Sequence, residues 1–416
     1  MERSQTAPQV HILVISQYFF PESFKVNDLV VGLQEQGHRV TVFTGLPNYP
    51  SGRFFPGFSW GGPYREDYQG ATVYRTPLIP RGKGGGLRLS INYLSFAFLA
   101  CLSILFRCRE RYDAIFVFQT SPVTVGLPAM VMKAVRKIPI VFWVQDSWPE
   151  SLVATGAVRS PFLLALVARL VRMIYSSCDR ILVQSQLFVQ HVVKVGSDPS
   201  KVSYFPNWAE DFYQPASQED AATVAGELPD GFVILFAGNL GRAQSLETIL
   251  EAAEATLDSP KIQWALLGDG REREHLEAEI ARRGLQSKVH LLGRREPEQM
   301  PAYFAAADVL LVTLRKEFIF ELTVPSKVQT YMACEKAILG ALDGEGATVI
   351  RESGGGKTCP AGDGRALAQL AIEMSQLSSQ ELQEMGKHGG QWCRRRFSRQ
   401  ELLQELQEIF CQIRRK

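Results

Sequence analysis

The chain is 416 residues long, 46% hydrophobic and 21% charged, with a formal net charge of +2. That length is too great for one ordinary domain and suits two, and so neutral a balance argues against a protein built to coat nucleic acid. Seven scattered cysteines, with no Cys-x-x-Cys pair, argue against a disulfide framework or a zinc site and for a reducing compartment.

From the N-terminus, a polar lead is followed by VHILVIS, too brief for a signal-peptide core, so a cytoplasmic location is expected. HILVIS (11–16), RVTVFT (39–44), TVYRTPL (72–78), DAIFVF (113–118), IPIVFWV (138–144) and RILVQS (180–185) read as strands. The stretch FKVNDLVVGLQEQG reads as a helix closed by Gly37 at its C-cap. Near-continuous Val, Ile, Leu and Phe runs suit parallel strands covered on both faces, and their alternation with helices predicts a doubly wound α/β domain.

LSINYLSFAFLACLSILF (89–106) interrupts this pattern. Arg81, Lys83 and Arg88 precede it, and Arg107, Arg109 and Arg111 follow it. It admits three readings: a helix buried under the first domain, a helix lying in a membrane interface with its basic flanks on anionic lipid, or a short transmembrane span.

The segment 201–220, with two prolines and a polar tail, reads as an interdomain linker. The pattern then restarts with FVILFAGN (232–239), IQWALLGDG (262–270), KVHLLG (288–293), DVLLVTL (308–314) and KAILGAL (336–342). The expected fold is therefore α/β, with two Rossmann-like parallel-sheet domains facing a central cleft. GGGLR and ESGGGK read as loops. At the end of the chain, Leu402, Leu403, Leu406, Ile409, Phe410 and Ile413 share one face of a helix that needs a surface to bury it.

Ligands of doubly wound sheets bind beyond the carboxyl ends of the strands, so strand-end residues carry the functional expectations. In AGNLGRAQSLETILEA, Gly238 and Gly241 flank a tight strand-to-helix turn that could admit a phosphate, with Arg242 placed to pair with it. The pattern is not Gly-x-Gly-x-x-Gly, which disfavours a nicotinamide cofactor. In VPSKVQTYMACEKAIL, Pro325 and Ser326 read as N′ and N-cap, with Lys327 in the first turn. A cation there opposes the helix dipole and calls for an anion nearby. Glu317 and Glu321 could hydrogen-bond sugar hydroxyls, GDGRERE (268–274) is a second glycine-rich turn, and Asp146 in VQDSWPES closes a central strand facing the cleft. At each place a plain structural role stays open: a βα turn, a solvated lysine, a loop acid, a turn cap. No Asp-x-Asp pair offers to hold a metal on a diphosphate, and neither a Gly-x-Ser-x-Gly nor a P-loop motif is present.

QYFFPES with EQGHRVTVFT, VQDSWPES, YFPNWAEDFY, FAGNLGRAQSLETILEA, LLGDGRERE, LLGRREPEQMPAYFAAADVLLVTL and VPSKVQTYMACEKAIL, in this order, resemble the retaining glycosyltransferases of family 4, with the two-domain GT-B fold. The resemblance covers nearly the whole chain and is strongest to bacterial enzymes that build O-antigen, capsule or exopolysaccharide repeats. It implies an acceptor-side domain over 1–205, a nucleotide-sugar domain over 206–397, and a C-terminal helix, about 398–416, returning to the first. The diphosphate would meet Gly238, Arg242 and Lys327, and the base would lie near Gly268 and the Gly293–Arg294 turn. Asp146 would line the reacting centre. Two departures stand out. Asn239 and Gln244 occupy the places of the family's phosphate-loop Arg and Lys. The family's E-x7-E motif is incomplete, with Thr330 in place of the second Glu, Leu322 in place of the first, and Glu321 one position off.

The expected catalytic residues are thus Asp146, Arg242, Lys327 and Glu321. The expected donor contacts are Gly238, Asn239, Gly241, Gln244, Gly268, Gly293, Arg294, Glu317, Ser326 and Thr330. No metal or cofactor is expected. The substrates would be a nucleotide-diphosphate sugar, UDP-sugar favoured over GDP-sugar, and a saccharide or lipid-linked acceptor, with peripheral association at the inner membrane and no nucleic acid. Two other readings stay open: an epimerase or hydrolase of the same fold, and a non-catalytic nucleotide-sugar-binding partner.

Overall fold

The computed structural model describes residues 9–82, 86–154, 156, 158 and 160–414. The chain divides into two compact units. Unit 1 comprises Met1–Gln184, Val189–Phe205 and Gln400–Lys416, and unit 2 comprises Ser185–Phe188 and Pro206–Arg399.

In chain order the first elements are β1 (His11–Ile15), α1 (Lys25–Glu35), β2 (Arg39–Gly45), β3 (Arg65–Tyr68), β4 (Ala71–Thr76), α2 (Gly86–Arg107) and β5 (Ala114–Gln119). They continue with α3 (Gly126–Arg136), β6 (Ile140–Val144), α4 (Glu150–Ala154), α5 (Pro161–Ser177), β7 (Arg180–Val183), α6 (Gln186–Lys194) and β8 (Val202–Tyr204). These strands form one sheet in the order β3-β4-β2-β1-β5-β6-β7-β8. All neighbours are parallel except the β3–β4 edge pair.

The strand order, with right-handed crossovers, puts α2, α3 and α5 on one face of this sheet and α1 on the other. Packing agrees: α2 lies against α3, and α3 against α5. Successive side chains of β6 alternate accordingly. Phe142 meets Tyr175 of α5, while Trp143 points the other way, onto Phe116. The helix α16 (Arg399–Arg414) buries Leu402, Leu403, Leu406, Ile409, Phe410 and Ile413. Its Phe410 packs edge-on against Phe116, and Arg414 pairs with Asp113 at 3.1 Å. Each such buried apolar side chain is worth about 1.5–3 kcal/mol, which explains why a helix distant in sequence stays on the first sheet.

Unit 2 contains α7 (Gln218–Ala225), β9 (Phe232–Ala237), α8 (Leu246–Ala255), β10 (Ile262–Leu267), α9 (Arg273–Arg283), β11 (Val289–Gly293), α10 (Met300–Ala306) and β12 (Val309–Thr313). There follow α11 (Phe318–Glu321), α12 (Ser326–Ala333), β13 (Ile338–Ala341), α13 (Gly344–Glu352), β14 (Gly356–Cys359), α14 (Gly364–Ser375) and α15 (Ser379–Arg396). Its sheet runs β11-β10-β9-β12-β13-β14, all parallel. Alternate residues of β9 feed two cores, Ile234 and Phe236 one, Val233 and Leu235 the other. The chain winds outward from β9 in one direction, then restarts at β12 in the other. The crevice between the carboxyl ends of β9 and β12 is thus the place where such a sheet binds ligands.

Four local expectations need correction. Val202–Tyr204, inside the expected linker, is the edge strand β8. The end of ESGGGK is not a loop, because Gly356 and Lys357 open β14, which pairs with β13. In GGGLR, Gly84 and Gly85 lie outside the described residues, and Gly86 opens α2. The residue before α12 is Pro325, so Ser326 is the first helical residue, not the cap.

The helix α2 is neither a fully buried core helix nor a span. One stripe, Asn92, Phe96, Ala97, Ala100 and Ile104, is buried against unit 1. By length and composition it could cross a bilayer, yet only 28% of its most apolar stretch is buried. It joins β4 to β5, and both strands belong to one sheet, which a helix crossing a membrane would put on opposite sides.

Candidate active site

The site in unit 2 starts from two glycines at strand ends. Gly238 follows β9 with φ +138°, a conformation that L side chains rarely adopt, and a Cβ there would lie 2.7 Å from Cε of Lys327. Gly268 follows β10, and a Cβ on it would sit 1.8 Å from the Gly238 carbonyl oxygen. The two loops therefore close backbone to backbone. The Gly238 N–H donates to Leu267 O at 2.8 Å, the Leu240 N–H to Asp269 O at 2.9 Å, and the Gly268 N–H to Gly293 O at 2.8 Å.

Onto this floor the first turn of α12 delivers Lys327. Its ammonium donates to Oε1 of Gln244 and stands 4.0 Å from the centroid of the Phe236 ring. No carboxylate pairs with it among the described residues. Burial pulls its pKa down to about 7. The helix N-terminus adds more positive potential at the same point. A desolvated cation without an anion, at the positive end of a helix, is a site that gains from binding one.

Gln244 is held for this contact from behind. Its carbonyl accepts from the Thr313 hydroxyl, and the Arg315 N–H donates to Ala243 O at 3.0 Å. The turn after β9 is thereby pinned to the end of β12.

These groups open into a cavity of about 730 Å³. Of the residues expected from the sequence, Gly238, Asn239, Gln244, Gly268, Arg294, Ser326, Lys327 and Thr330 line it. The far wall was not foreseen: Tyr213, Met300, Phe304, Phe320 and Tyr331 give it an aromatic and apolar surface, with Thr323 and Asp269 as further polar groups. Arg295 also lines it, but its guanidinium is already engaged, donating to the Tyr303 hydroxyl at 2.7 Å and to Glu227 at 2.5 Å.

Five expected residues lie elsewhere in unit 2. Arg242 does not join Lys327. Its side chain is 83% exposed and reaches Glu272 at 3.2 Å, and with Gly241 it lines a separate pocket of about 230 Å³. The cause is local. Residues 242–244 form a single 3-10 turn, in which positions two apart point to different sides, so turning Gln244 inward turns Arg242 out. Glu317 precedes α11 and pairs with Arg315 at 3.3 Å. The backbone of Glu321 lies against Gly344. Neither acid lines the cavity. Gly293 ends β11 with φ +75° and supports Gly268 from behind.

In unit 1, Asp146 lies two residues beyond β6. Its Oδ2 accepts from the Ser121 hydroxyl at 2.7 Å and from the Trp148 indole N–H at 3.3 Å. Burial raises its carboxyl to about 6, against those hydrogen bonds. Trp148 is buried and meets Tyr93 of α2 edge-on at 6.4 Å. Glu22, in the motif QYFFPES, is an unforeseen neighbour on the same edge of the sheet. Its carboxylate accepts from the backbone N–H groups of Asn48 and Tyr49, both at 2.7 Å, and of Phe19 at 3.2 Å. Burial raises it to about 7. The abrupt end of an apolar run in an acid was the signal available for both carboxyls. Among the described residues, no three His, Cys, Asp or Glu side chains converge on one point.

Two family descriptions match this chain: a glycosyl transferase 4-like domain over residues 24–208 and a glycosyl transferases group 1 domain over residues 231–376. The chain is 32% identical to the probable glycosyltransferase WbjE of Pseudomonas aeruginosa over 301 residues, 70% of this chain and 73% of that protein. It is 27% identical to the putative colanic acid biosynthesis glycosyl transferase WcaI of Escherichia coli over 335 residues, 77% of this chain and 81% of that one. Among solved structures it resembles Anabaena HepE in complex with UDP-glucose, with a TM-score of 0.70 at 15% identity over 97% of this chain and 100% of that one.

Proposed function

The chain belongs to glycosyltransferase family 4, with the GT-B fold, and from that premise we propose that it moves a hexosyl or N-acetylhexosaminyl group from a nucleoside-diphosphate sugar to a saccharide carried on a lipid. Transfer proceeds with retention at the anomeric carbon and serves the synthesis of a surface polysaccharide on the cytoplasmic side of the membrane. Names such as colanic acid biosynthesis among the relatives support the polysaccharide, and UDP-glucose in the similarly folded HepE supports UDP over GDP.

One observation carries the reading: Lys327, desolvated and without a counter-ion among the described residues, stands at the N-terminus of α12 beside the Gly238 turn. As the bond from the anomeric carbon to the diphosphate breaks, negative charge grows on the leaving oxygen. Lys327, which takes up a proton from solvent as the anion binds, and the first N–H groups of α12 meet that charge without reorganising. In this reading they neutralise the leaving group and no further cofactor is needed. Thr330 offers a hydroxyl to the ribose, and the aromatic wall takes the base. In this reading Asp146, ionised, holds the acceptor hydroxyl and takes its proton as that oxygen bonds to the anomeric carbon.

The test is to incubate the protein and bacterial membranes with UDP-, GDP- and dTDP-sugars and follow nucleotide release and lipid-linked product together. Product with one donor class supports the reading. Nucleotide release without product, or donor binding without either, refutes it.

A further inference from the structure

The sheet face of unit 1 that carries α2, α3 and α5 leaves a large apolar surface in water. On α2 the side opposite the buried stripe carries Leu94, Phe98, Leu102 and Phe106, which are 62%, 65%, 53% and 70% exposed. They recur every four residues, so they form one continuous ridge along a helix about 33 Å long. On α5, Phe162 is 77% exposed and Leu166 56%, and Arg169 and Met173 continue that line. α3 lies between the two helices in the same layer. Soluble surfaces rarely gather so many large apolar side chains in one place.

The charge that these three helices themselves carry has one sign, with Lys133 paired to Asp179 just before β7. α2, α3 and α5 carry Arg88, Arg107, Lys133, Arg136, Arg169 and Arg172, and not one acid. Two copies of such a face would repel one another. A surface of anionic headgroups would attract it, while the ridge enters the acyl boundary.

We propose that this face docks on a bilayer containing anionic phospholipid, with α2 lying in the plane of the interface. The apolar ridge enters to about 5–10 Å, and the arginines meet the headgroups. The docking rests on the lipid-linked acceptor reading for its purpose but not for its binding. It holds the strand-end cluster of Tyr93, Trp148 and Asp146, to which α2 contributes Tyr93, near the plane where a lipid-linked saccharide presents its sugar.

The test is co-flotation of the full chain with vesicles of phosphatidylcholine alone or mixed with phosphatidylglycerol. The chain is expected to float with the phosphatidylglycerol vesicles, less so as salt rises. Phe98→Ser with Phe162→Ser should lower the partition at least about tenfold, and Leu94→Ser with Leu166→Ser repeats the test at separate positions. Arg169→Gln with Arg172→Gln should lower it about tenfold or more. Circular dichroism checks that the fold is kept, as substitution of exposed side chains predicts. UDP titrated calorimetrically into each variant should bind as it does to the wild type. Failure of the wild type to float, variants that float equally well, or a dimer in solution that Phe98→Ser and Phe162→Ser dissociate would each overturn the docking. Flotation without any UDP binding would instead refute the donor site and leave the docking intact.

Discussion

At the carboxyl edge of its sheet each unit places a buried charged group, Asp146 in unit 1 and Lys327 in unit 2, and the two are treated differently. Asp146 in unit 1 is given several donors, Ser121 and Trp148 foremost, which oppose the rise that burial imposes, so it is still mostly ionised at neutral pH. Lys327 in unit 2 is given one neutral acceptor, Gln244, and an aromatic face, and its charge is half lost. The acid is satisfied by its own domain. The cation is completed only from outside, and the helix dipole behind it makes the missing partner an anion. The contrast separates a group that positions a substrate from a group that grips one.

That contrast can be broken first at the acid. Asp146→Asn keeps both shape and most hydrogen bonding, so donor affinity should be unchanged while turnover falls about 10²-fold or more, within the span expected for a positioned acid–base group. Equal loss of donor binding would show that Asp146 acts on the fold. Lys327→Ala should do the reverse, weakening UDP binding and lowering kcat about 10²–10³-fold, the loss seen when one preorganised charge-stabilising donor is removed. Gly238→Ala should strain the turn by about 1–3 kcal/mol and displace Lys327, weakening UDP binding in a protein that still folds. Calorimetric titration would read that loss. Smallest of all, Arg242→Ala should change donor affinity less than about threefold, as exposed charges do. A loss as large as that of Lys327→Ala would restore Arg242 to the site.

The pH profile sharpens the same comparison. If Asp146 acts ionised, kcat/KM for the donor should rise as pH passes about 6. It should fall above about 7 as Lys327 loses its proton. Asp146→Asn should remove the acid limb and Lys327→Met the alkaline one.

Long apolar strands and the restart of the pattern were legible in the sequence, because burial on both faces leaves unbroken runs such as IVFWV and VILFA. The strands that escaped are edge strands. REDY of β3 is mostly charged, VSY of β8 is only three residues long, and GKTC of β14 opens on a glycine. Within the site, Gly238, Gly268 and Lys327 were legible because each departs from what a plain βα turn or helix start would choose. Arg242 was misread because sequence spacing does not say which way a one-turn 3-10 segment points. Glu317 and Glu321 were misread because their spacing does not say that Glu317 turns to Arg315 or that Glu321 ends α11. The aromatic wall had no local signal: Tyr213, Phe304 and Phe320 come from three segments that meet only in the fold.

The central claim is that Lys327 regains its proton when a diphosphate binds. Calorimetric titration of a UDP-sugar at pH 6, 7, 8 and 9 tests it most directly, because the sugar diphosphate itself keeps its charge over that range. The account predicts that affinity is nearly constant below about 7 and falls by as much as tenfold per unit above it, with proton uptake on binding, and that Lys327→Met abolishes both. A flat affinity with no proton uptake in the wild type would contradict it.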